Sequence, residues 1–145
     1  MIDKFNSSIL SLSINIPGFN KLSEDARIIF DAALDEITKT NLKILETQKF
    51  KVSSGYEAQI AIDADVVKLK KIVVEIEQKH PLGRFMDIDV ISRDKKQITR
   101  KDIFMSSRVC FICDCDAKIC ARSAKHPLEE LLLFIHNRVQ SYEKI

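Results

Sequence analysis

His80-Pro81-Leu82-Gly83-Arg84-Phe85-Met86-Asp87-Ile88-Asp89-Val90-Ile91-Ser92 alternates apolar and acidic residues after a Pro/Gly break. Strand side chains point to opposite faces in turn, so Met86, Ile88 and Val90 share one face and Asp87 and Asp89 the other. A buried carboxylate must be paired or bound to a cation. The spacing therefore predicts a half-buried strand whose acidic face is open to water or to a ligand.

Working outward, Leu10, Leu12, Ile14 and Ile16 alternate with Ser11, Ser13 and Asn15, a strand ended by Pro17-Gly18. Ser23 is a helix cap with Glu24 and Asp25 in the first turn, and Ala26, Ile29, Phe30, Ala33, Leu34 and Ile37 recur at helical spacing. Lys43 to Val52 reads as a strand, Ser53-Ser54-Gly55 as a turn, and Glu57 to Asp63 as a strand with Ala58, Ile60 and Ile62 inward. Asp65 caps a second helix through Val66, Leu69, Ile72, Val73 and Ile76, ending near His80-Pro81, where His80 is expected as a helix-end cation.

The order β-α-β-β-α-β predicts an α+β, ferredoxin-like sheet with both helices on one face. One domain is expected over residues 1–145. The core occupies about residues 8–92, and a Cys-rich loop and C-terminal helix follow over residues 93–145. Residues 93–126 read as irregular. The last helix starts at Pro127 and is expected to bury Leu128, Leu131, Leu132, Ile135 and Val139, with His136 at the surface or core edge.

With 46% apolar and 30% charged residues, the 145-residue chain reads as globular rather than disordered. A net charge of +2 gives no general attraction to nucleic acid. No run approaches the ~18 apolar residues of a membrane span, and the N-terminus is a poor signal peptide, so a cytoplasmic, membrane-free protein is expected.

On the open face the same alternation places Ser11, Ser13, Asn15, Glu57 and Gln59 with Asp87 and Asp89. Residues i and i+2 on a strand are about 6.6–6.8 Å apart, so both aspartates can reach one divalent ion. Glu57 can approach from a strand about 9–10 Å away. Such carboxylates suit Mg²⁺ or Mn²⁺ bridging substrate phosphates, and Pro17-Gly18, Ser54-Gly55 and Leu82-Gly83-Arg84 fall at the same edge. The competing reading of so short a motif is a merely polar strand face.

All four cysteines lie between Cys110 and Cys120. Cys110, Cys113, Cys120 and His126 offer three thiolates and an imidazole, a set suited to structural Zn²⁺, with Cys115 as an additional thiol. The alternative is reduced cysteines packing a loop.

His80-Pro81-Leu82-Gly83-Arg84 followed by Asp87-Ile88-Asp89-Val90 resembles the signature of the holo-citrate lyase synthase family, the apo-citrate lyase phosphoribosyl-dephospho-CoA transferases. The resemblance continues through Ile98-Thr99-Arg100, Arg108, Cys110, Cys113, Ala117, Cys120-Ala121-Arg122-Ser123 and His126-x-Leu-Glu-Glu-Leu-Leu. Shorter matches lie at Pro17-Gly18, at Arg27 with Phe30, and at Gly55-x-Glu57. It implies a nucleotidyltransferase with Asp87 and Asp89 as catalytic, metal-holding residues. The prosthetic group would pass from triphosphoribosyl-dephospho-CoA to a serine of the acyl carrier (gamma) subunit of citrate lyase, releasing pyrophosphate. Arg84, Arg100, Arg108 and Arg122 then become candidate phosphate ligands. Against the family, one arginine stands at Ser107-Arg108 where two are usual, Ser123-Ala124-Lys125-His126 is less basic, and an N-terminal extension is expected to be missing. Two alternatives compete with this reading: the equivalent transfer to a malonate decarboxylase carrier, and a zinc-knuckle RNA-binding module. The second needs exposed aromatics among basic residues, and only Phe104 and Phe111 qualify, so no nucleic-acid partner is expected.

Overall fold

The computed structural model describes residues 7–18, 20–105, 108, 112 and 126–144. It contains β1 (Ser8–Ile14), α1 (Glu24–Lys39), β2 (Lys43–Val52), β3 (Gly55–Asp63), α2 (Val66–Lys79), β4 (Met86–Ile91), β5 (Gln97–Ile98) and α3 (Leu128–Glu143). This is a mixed α+β fold: three helices and one five-stranded antiparallel sheet in the order β2-β3-β1-β4-β5.

Both predicted caps form. The Ala26 N–H donates to Ser23 Oγ at 3.2 Å, and the Lys68 N–H to Asp65 Oδ2 at 3.0 Å. Each satisfies an amide that the first helical turn leaves without a partner. Inward residues of β1, β3 and β4 join Ile29, Phe30, Ile37, Leu69 and Val73 of the helices in one core cluster. Burying them supplies most of the driving force for folding.

Four features differ from the sequence reading. β1 starts two residues earlier and stops before Asn15, whose N–H turns to the Phe85 carbonyl at 2.8 Å. Residues read as irregular contain β5 and a 3₁₀ turn at Lys101–Ile103, because Asp102 and Thr99 cap each other reciprocally. α3 buries only Ile135 and Val139. Leu128 and Leu132 are 41% and 39% exposed, since α3 touches the core through one narrow stripe. Finally, His80 is not a cation. The Leu82 N–H donates to its Nδ1 at 3.0 Å, a role only the neutral ring can fill, and burial lowers its pKa below the usual imidazole value.

The His80–Phe85 turn sets β4 against α2. Leu82 is fully buried, and the Gly83 N–H donates to the His80 carbonyl at 2.9 Å. A Cβ on Gly83 would lie 2.4 Å from the Ile76 carbonyl oxygen, so only glycine lets the turn press onto the end of α2.

Candidate functional site

The strand registers define the open face row by row. Asp87 lies opposite Ser13 of β1, and Ser13 lies opposite Glu57 of β3. In the next row Asp89, Ser11 and Gln59 align in the same way. The burial of β4 alternates strictly, with Met86, Ile88 and Val90 buried and Asp87 and Asp89 half-buried. Asp87 and Asp89 therefore share the face that the core does not use.

That placement has an electrostatic cost. Asp89 has a raised pKa, chiefly because burial strips water from its carboxylate and next because Asp87 repels it. Lys70 and Arg108 act in the opposite direction without cancelling the shift. The Gln97 side-chain amide donates to Asp89 Oδ1 at 3.1 Å. An acidic pair with incomplete compensation suits a cation, and Mg²⁺ is commonly held by only one or two carboxylates plus substrate phosphates. Glu57 stands two strands from Asp87 and accepts from Ser54 Oγ at 3.2 Å. Among the described residues no three His, Cys, Asp or Glu side chains converge on one metal position.

The candidate arginines occupy different settings. Arg100 Nη2 bonds Glu77 Oε1 at 2.7 Å, with only 13% of its side chain exposed. Arg108 Nη2 donates to the Arg84 carbonyl at 2.6 Å, while its Nη1 lies 3.6 Å from Glu77 Oε2. Arg84 thus meets Arg108 through its backbone carbonyl, beside the start of β4. Arg122, Cys110, Cys113, Cys115 and Cys120 lie outside the described residues. His126 is described: its Nε2 is buried without a hydrogen-bond partner among the described residues, and its Nδ1 lies 3.7 Å from Glu130 Oε1. His136 pairs with Asp25 at 3.0 Å and ties α3 to the start of α1.

Sequence reasoning missed Glu77, which is 4% exposed and sits where α2, β4 and two arginines meet. A signal for it existed. Glu77 falls four residues after Val73 and three after Val74, on the inward stripe of α2, where an acidic residue must find a partner.

The family model described as apo-citrate lyase phosphoribosyl-dephospho-CoA transferase matches residues 1–142. The chain is 37% identical over 139 residues to a probable apo-citrate lyase phosphoribosyl-dephospho-CoA transferase of Vibrio cholerae serotype O1, covering 92% of this chain and 78% of that one. It is 34% identical over 128 residues to the apo-citrate lyase phosphoribosyl-dephospho-CoA transferase of Shigella flexneri serotype 5b, covering 86% and 70%. A relative of the same name from Escherichia coli O1:K1 matches to the same extent. No described helix is long and apolar enough to cross a membrane.

Proposed function

The chain belongs to the apo-citrate lyase phosphoribosyl-dephospho-CoA transferase family, and from that premise we propose that it modifies the acyl carrier subunit of apo-citrate lyase in the cytoplasm. The donor is triphosphoribosyl-dephospho-CoA. The serine oxygen of the carrier attacks the α-phosphorus, the bond to the β-phosphate oxygen breaks, and pyrophosphate leaves. The serine proton passes to a carboxylate on the open face or to water.

The observation that carries this reading is the pair Asp87 and Asp89 on the sheet face left free by the helices, within a stretch that resembles the family. Asp87 and Asp89 would hold Mg²⁺ or Mn²⁺, which supplies neutralisation of the triphosphate charge. The incomplete compensation of Asp89 fits that occupancy. Glu57, two strands away, is assigned an outer place reached through water or substrate. Between Arg100 and Arg108, Arg108 is the phosphate ligand, because Arg100 is committed to Glu77 and more deeply buried; Arg84 stays a candidate beside it. The four-strand core is read as ferredoxin-like, in keeping with the strand order β2-β3-β1-β4.

The test is to incubate the chain with Mg²⁺, the triphosphate precursor and apo-carrier subunits of citrate lyase and malonate decarboxylase, then measure each carrier by intact mass. A mass gain confined to the citrate lyase carrier, with pyrophosphate released, is expected. Modification of the malonate decarboxylase carrier alone, or of neither, overturns the assignment.

His126 supports a structural Zn²⁺ with Cys110, Cys113 and Cys120. An imidazole nitrogen buried without a partner is costly unless a ligand takes it, and the nearby Glu130 carboxylate lies toward the other ring nitrogen. Elemental analysis of freshly reduced protein should give about one zinc per chain; no stoichiometric metal would exclude the site.

A further inference from the structure

We propose that Glu77 is a positioning residue for the Asp87–Asp89 site, fixing the strand between the aspartates and presenting Arg108 beside them; this rests on the function proposed above. Three donors from separate segments converge on its carboxylate. The Ile88 N–H reaches Oε2 at 3.2 Å, Arg100 Nη2 reaches Oε1 at 2.7 Å, and Arg108 Nη1 lies 3.6 Å from Oε2.

The first donor concerns backbone. Ile88 lies between the two aspartates, and β5 pairs with β4 only at Val90 and Ile91. The outward amide of Ile88 therefore has no strand partner among the described residues, and a side chain from α2 takes that place. A buried amide without a partner is costly, so Glu77 stabilises the pleat that sends both aspartates to one face.

The second contribution is charge. One carboxylate faces two guanidiniums, leaving a net positive charge at the acidic edge. Arg100 makes the shorter contact and is the less exposed, at 13% against 26% for Arg108. Arg100 therefore neutralises Glu77, while Arg108 is held at a second point by the Arg84 carbonyl and keeps surface to offer. Its charge is felt at Asp89. A fork fixed at two points and poised beside a cation site suits the leaving pyrophosphate.

Binding of magnesium pyrophosphate, followed by calorimetry, tests this without the carrier or the transfer reaction. Glu77→Gln can still accept the Ile88 N–H but loses the charge that holds Arg108. It should weaken binding about ten- to hundredfold, as should Arg108→Gln. The double variant should bind no more weakly than Arg108→Gln alone, because Glu77 acts on the anion through Arg108. Transfer kcat should fall in both single variants with the KM for the carrier unchanged. Additive losses, or absence of pyrophosphate binding by the unaltered chain, would overturn the proposal. Pyrophosphate binding with the expected coupling but no transfer would overturn the function proposed above and leave the Glu77 role standing. If Glu77→Gln fails to fold, Arg108→Lys replaces it: the charge stays while the two-point hold is lost. Weakened binding at unchanged Tm supports the role, and unchanged binding refutes it.

Discussion

Across the two rows that carry Asp87 and Asp89, the faces of the sheet are built from the same strands and obey opposite rules, whereas Ile9 and Ala61 in the next row of the acidic face are buried. On the helix side, Leu10, Leu12, Ala58, Ile60, Ile62, Met86, Ile88 and Val90 are each no more than 1% exposed. On the other side, Ser11, Ser13, Glu57, Asp87 and Asp89 keep contact with water. Along β4 the change of face occurs at every residue, so each buried residue neighbours a half-buried one on the face of the proposed site. Stability and activity are therefore separable by a shift of one position.

Removing charge from the open face should give the largest effect. Asp87→Asn and Asp89→Asn are each expected to lower transfer by about 10²–10³-fold or more, read by the mass of the carrier, because stabilisation of the phosphoryl transition state is lost. Folding stability should stay unchanged or rise. The sign follows from the raised pKa of Asp89: in the folded chain its ionised form is disfavoured, so stability is lost as pH rises above the ordinary carboxylate range. The gain from Asp89→Asn should be present at neutral pH and vanish in acid, as urea titrations at both pH values would reveal. A large loss of stability at neutral pH would mean that the aspartates belong to the architecture.

One residue away, the balance should invert. Leu12 is 1% exposed in the central strand, paired with Ala58 and Ile88. Leu12→Ala should cost about 2–5 kcal/mol of unfolding free energy, while the folded fraction keeps its transfer rate well below Tm. A smaller effect is expected at Gly83, where the turn before β4 joins the two roles. An added methyl would meet backbone oxygens of Ile76 and Glu77 at 2.4 and 2.5 Å. Gly83→Ala should destabilise by about 1–3 kcal/mol and lower transfer with it, since the end of α2 carries Glu77. Equilibrium unfolding and the mass assay, run side by side, check both substitutions.

The order of the first six elements and the sidedness of β1, β3 and β4 were legible because their periodicities are clean and their caps local. Ser23 and Asp65 announce helices through short-range hydrogen bonds, and the Asp87–Asp89 alternation announces a two-sided strand. What escaped depended on turn geometry, on the shortness of an element or on partners distant in sequence. The neutral state of His80 follows from a backbone donor in a turn whose geometry the sequence does not spell out. Glu77 draws meaning from Ile88, Arg100 and Arg108 together, and no single spacing encodes such a meeting. β5 is too short for periodicity to register. α3 has more leucines than buried positions, so composition overstated its embrace of the core.

The position of β1 bears on how the chain is made. It is the earliest described strand in sequence and the middle strand of the sheet, joined to β3 on one side and β4 on the other. On the ribosome Leu10 and Leu12 emerge long before Ile88 and Val90, the residues they will face across β4. The β2–β3 hairpin, closed between Val52 and Gly55, can zip up from neighbouring residues in the meantime. β1 cannot gain its second neighbour until synthesis has passed Ile91, so the nascent chain must carry an unfinished central strand from the emergence of β1 until that of β4.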